Sequence, residues 1–62
     1  MKPLIAAANL AQPGDTYALL LAAHNGLGKD QSDALTAAFI LILCNHIGDQ
    51  TVIAQALALA AP

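Results

Sequence analysis

Ala37-Ala38-Phe39-Ile40-Leu41-Ile42-Leu43-Cys44 is the stretch on which the fold turns. An unbroken apolar run of this length can be a buried strand or part of a buried helix, and periodicity alone does not separate the two. Its surroundings do. Upstream, Lys29-Asp30-Gln31-Ser32-Asp33-Ala34-Leu35-Thr36 reads as the start of a helix, with carboxylates at its positive end, and downstream Gly48 supplies a helix stop. No second stretch of strand character exists to pair with Phe39 to Leu43, and an unpaired strand is not stable. The sequence therefore predicts a helix over 29–47 that is apolar on every side, the pattern of a buried helix.

Working outward, Asp49 caps a third helix over 50–60, where Val52, Ile53, Ala56, Leu57 and Ala60 share one face. Towards the N-terminus, Asn25-Gly26 ends a first helix over 15–25, with Asp15 as its expected cap. Its stripe is Tyr17, Leu20, Leu21 and His24, with Leu27 placed to fold back onto it and the Tyr17 ring expected in the core. Residues 1–12 form a leader whose order the sequence leaves open, with room for an extra N-terminal turn, and Pro13-Gly14 closes it off. The expected fold is all-α: a small bundle of three short helices in one helical domain over 13–62, antiparallel because the turns are short.

At 62 residues with a single cysteine, Cys44, the chain has no internal disulfide and no cysteine-based zinc site to supplement a small core. Two flanking helices cannot surround the middle one, so an apolar strip is left to meet another surface. Phe39, Ile40, Leu41, Ile42 and Leu43 are the candidate interface, and the expected partner is another copy of the chain or a larger protein. The alternative is a monomer in which the leader, Leu4 to Leu10, folds over that strip.

Charge is scarce: Lys2 and Lys29 stand against Asp15, Asp30, Asp33 and Asp49, for a net charge of −2. That argues against nucleic-acid binding, which needs clustered Lys and Arg, and against an amphipathic helix on an anionic membrane. The start, Met1-Lys2-Pro3 followed by Leu4 to Ala8, resembles a signal peptide, but its apolar part is shorter than the roughly 7–15 residues of such a segment. The run Ala37 to Cys44 covers less than half of the ~20 residues that span a bilayer. The expectation is a cytoplasmic protein without a membrane segment.

Polar functional groups concentrate in Cys44-Asn45-His46-Ile47-Gly48-Asp49. Cys44 and His46 point about 200° apart around a helix, which keeps them from forming either a chelate or a nucleophile–base pair. His24, Asn45, His46 and Asp49 make a candidate cluster for a small ligand or a metal, on condition that the first helix returns to the second junction. His46 continues the stripe of Leu35, Phe39 and Ile42, so a core position bonded to a carbonyl or to Asp49 is the expected alternative. Asn45 follows Ala38 and Leu41 on another face, where an amide at an apolar interface can fix register. No catalytic residue, cofactor-binding motif or metal-ligand spacing is recognisable, and no cofactor is expected.

His24-Asn25-Gly26-Leu27, Gln31-Ser32, Ala34-Leu35, Ile40-Leu41-Ile42-Leu43 and Asn45-His46-Ile47-Gly48-Asp49 together resemble the small bacterial family known as domain of unknown function 2783. The resemblance spans roughly Asp15 to Ala60. The chain departs from that pattern at Gly28 for serine, Thr36 for asparagine and Cys44 for alanine. It implies a bacterial cytoplasmic protein and transfers no catalytic residues.

Overall fold

Three α-helices in the order α1 (Pro13–His24), α2 (Lys29–Ile47) and α3 (Gln50–Ala60) make up a computed structural model that describes residues 3–62. Met1 and Lys2, the start of the expected leader, lie outside the described residues. No strand occurs among the described residues, so the all-α expectation holds.

α1 begins earlier than its sequence suggests. Gln12, not Asp15, is its N-cap and makes no side-chain cap bond, and Pro13 opens the first turn. Proline suits that place because its fixed φ is already helical and its missing N–H would have been unpaired there anyway. Asp15 instead sits inside the first turn, where its charge faces the positive end of the helix. The helix is tied to its cap by Thr16, whose backbone N–H and hydroxyl both donate to the Gln12 carbonyl, at 3.0 and 3.2 Å. At the other end Gly26 takes φ +80°, and the Leu27 N–H donates to the His24 carbonyl at 3.2 Å.

α2 starts from Gly28, which has no side chain to offer as a cap. Gln31 compensates in part, its Oε1 accepting from the Gly28 N–H at 3.4 Å. Lys29 and Asp33, one turn apart, form an exposed ion pair at 2.7 Å. Gly48 ends the helix in the left-handed region at φ +67°, its N–H donating to the Cys44 carbonyl at 2.9 Å. Asp49 then opens α3, Oδ1 accepting from the N–H groups of Thr51 at 3.0 Å and Val52 at 3.3 Å.

α2 and α3 pack on each other along an open groove of about 230 Å³ between Ile40, Cys44 and Ile47 on one side and Ile53, Ala56 and Leu57 on the other. Beyond this the expectation of a buried middle helix fails: among the described residues none is buried. Leu41 is 69% and Ile42 66% exposed, and Tyr17, expected in the core, is 64% exposed. The physical reason is geometric, since α1 and α3 touch adjoining parts of α2 and leave the remaining arc without a neighbour. The leader does not cover that arc. It lies instead by the α2–α3 junction, where the Leu4 N–H donates to Gln55 Oε1 on α3 at 3.2 Å. The radius of gyration, 13.3 Å, exceeds the ~10.6 Å of a compact chain of this length.

Candidate functional site

The candidate cluster divides in the structure. His24, in the last turn of α1, lies beside α2 well before the junction. Its Nδ1 is 2.7 Å from the Leu20 carbonyl and its Nε2 is 3.0 Å from Thr36 Oγ1. A carbonyl only accepts, so Nδ1 carries a proton; in the neutral ring Nε2 then accepts from the Thr36 hydroxyl. Thr36 precedes His46 by about 15 Å of helix rise. His24 is therefore a latch between α1 and α2 and not a member of a site at the α2–α3 junction, as the cluster required.

His46 and Asp49 do come together. Both line an open concavity of about 620 Å³ that the leader closes on one side through Pro3, Leu4, Ile5 and Asn9, with Ile47 and Val52 as its floor. His46 is exposed there, which overturns the expectation of a core histidine, and among the described residues it has no hydrogen-bond partner. The cause is again the missing core: the stripe that His46 continues, through Phe39 and Ile42, looks outward at this end of α2. Asp49 is half-buried and commits Oδ1 to capping α3. Asn45 is not part of this concavity; it lies on an exposed face of α2.

Chemically, the concavity offers one imidazole and one carboxylate against a mostly apolar wall, with the Asn9 amide at its rim. Among the described residues no three His, Cys, Asp or Glu side chains lie close enough to hold a metal ion. Cys44 is a free thiol, half-buried in the α2–α3 groove and turned away from His46. Sequence reasoning missed Asn9, Thr36 and Gln55, because their roles rest on contacts across the fold and no local motif announces them.

The candidate interface is the larger feature. Phe39 to Leu43 are all exposed to some degree, with Leu41 and Ile42 the most open. Leu19, Leu57 and Leu59 add further apolar surface on the other helices. No helix among the described residues is long and apolar enough to cross a membrane.

No curated protein and no solved structure matches the chain. A family model does, over residues 4–62, nearly its whole length, and the motif residues from His24 to Asp49 lie within that match. The chain belongs to the family described as protein of unknown function DUF2783.

Proposed function

We propose that this protein is a non-enzymatic interaction module, which acts by burying the open face of α2 against another protein surface. The observation that carries it is the amount of surface left uncovered. A compact 6.3 kDa monomer exposes about 3,700 Å², and this chain exposes 5323 Å², an excess of about 1,600 Å². The large apolar side chains Phe39 to Leu43 and Ile47 of α2 are part of that uncovered surface, and exposed apolar side chains grouped on one element mark an association site. Leu41 and Ile42 are the most open large side chains of α2.

The test is the behaviour of the purified chain. Small-angle scattering that gives a monomer with a radius of gyration near 10.6 Å would mean that the chain closes on itself, and the proposal would fail. Replacement of Leu41 or Ile42 by lysine is expected to abolish association or to unfold the chain. A folded assembly of unchanged mass after either change would rule out this face.

A second reading is favoured by the concavity at His46 and Asp49. Its occupant would be a small polar ligand held between the imidazole and the Asn9 amide, beneath the leader. Asp49→Asn would keep the α3 cap but remove the charge, so ligand binding that survives it would not depend on the carboxylate. If His46→Ala alters stability alone, and mass spectrometry under native conditions finds no small molecule on the purified protein, this reading fails.

A further inference from the structure

The exposed face of α2 has an internal order beyond being apolar. Gln31, Ala34, Ala38, Leu41 and Asn45 follow one another at intervals of three and four residues, the spacing of a seam between two helices. All are exposed, whereas Ser32, Leu35 and Cys44, on other faces of the same helix, are half-buried. The seam has no charged residue, although Lys29, Asp30 and Asp33 lie at its N-terminal end. One half is small, Ala34 and Ala38, and the other holds the bulky Leu41.

We infer that the occupant of this face is a second copy of the chain, and that the two α2 helices cross antiparallel about a two-fold axis between Ala38 and Leu41. This rests on the interaction reading above and names its partner. In that register Leu41 of each protomer fills the space over Ala38 of the other, and Ala34 lies opposite Asn45. Ile42, also exposed, flanks the seam. A parallel pair would set alanine on alanine at one end and leucine on leucine at the other, so the helices could not stay at one packing distance along the seam. Antiparallel pairing also opposes the two helix dipoles. The chain exposes about 1,600 Å² more than a compact monomer of its mass, roughly twice the ~800 Å² per partner that a standard interface buries, so enough surface is open for a stable pair. A seam without charge suits the core of such an interface, from which charged residues are depleted.

Crosslinking tests the register. In a Cys44→Ala background, Ala34→Cys, Ala38→Cys, Leu41→Cys and Asn45→Cys each supply one thiol, on side chains that no core depends on. A short bismaleimide is then added to the whole chain, and the mass of the uncrosslinked protein is measured by sedimentation. In the antiparallel pair the two copies of position 38, and likewise of 41, are offset along the helices by only about 4.5 Å, against about 17 Å for 34 or for 45. Ala38→Cys and Leu41→Cys are therefore expected to crosslink alone. Ala34→Cys and Asn45→Cys are expected to crosslink only when refolded together as a mixture.

Crosslinking of all four variants alone would establish a parallel seam and overturn the inference. A dimer in which none crosslinks more than an Asp33→Cys control would overturn it too, and would move the interface elsewhere. A monomeric chain overturns it as well. In that case a radius of gyration near 13.3 Å leaves the interaction reading standing with a different partner, whereas a compact monomer removes both.

Discussion

At Gly48 and Asp49 the chain leaves one helix and enters the next within two residues, and each residue does one part of that task. Gly48 holds φ +67°, and a Cβ added there would meet only the Asn45 carbonyl oxygen at an ordinary 3.7 Å. The cost of Gly48→Ala is therefore conformational, not steric, and about 1 kcal/mol of stability should be lost in urea denaturation. Asp49→Ala removes the acceptor for two N–H groups of α3 and should cost about 1 kcal/mol, whereas Asp49→Asn keeps an acceptor and should cost less. These roles are legible in the sequence because a cap and a left-handed stop need only their immediate neighbours. His24 is the contrary case. Its bond to Thr36 joins two helices, so no local pattern could show it. A double-mutant cycle on His24→Ala and Thr36→Val should return a coupling of about 0.5–1.5 kcal/mol, and additivity would mean that the latch does not hold α1 in solution.

Among the elements, α2 is the most legible and the least satisfied. Its Lys29 start and Gly48 stop are dictated by composition, since charged and amide residues fill the first turn and a glycine follows the last. What composition could not supply was the environment of that helix. An all-round apolar pattern says that a helix needs cover, but not that the cover comes from the same chain, and within the described residues it does not. The start of α1 departs from its residue types for a different reason: aspartate is the better cap by type, yet proline can stand inside the first turn and lets the helix begin earlier. Gly28 marks a deficit at the start of α2: it offers no side-chain cap, and its N–H donates to Gln31 Oε1 over a long 3.4 Å. Gly28→Ser should raise the midpoint of thermal unfolding, with a gain of a few tenths of a kcal/mol, roughly 0.3. The exposed Lys29–Asp33 pair should matter little by comparison, and Lys29→Ala is expected to change stability by less than about 0.5 kcal/mol.

For the whole molecule, the surface decides more than the interior. The all-α class and the helix-rich architecture could be read from sequence, while the division of His24, Asn45, His46 and Asp49 among a latch, a seam and a concavity required the packing of α1 on α2. If the missing core forms between copies, folding and assembly are one equilibrium. The melting temperature should then rise with protein concentration, and a melting curve that does not change over a hundredfold dilution would count against it.

The two-residue link between α2 and α3 also bears on how fast the structure forms. Helix-forming contacts lie within four residues of one another, and of the side-chain bonds among the described residues only the His24 latch and the Leu4 tie reach further along the chain. Such a topology has almost no loop-closure search, so helices of this kind appear within about a microsecond of dilution from denaturant. If the partner is a second copy, the slow event left is the meeting of two chains. Recovery of the native state should thus be second order, its half-time shortening in proportion as the chain becomes more concentrated.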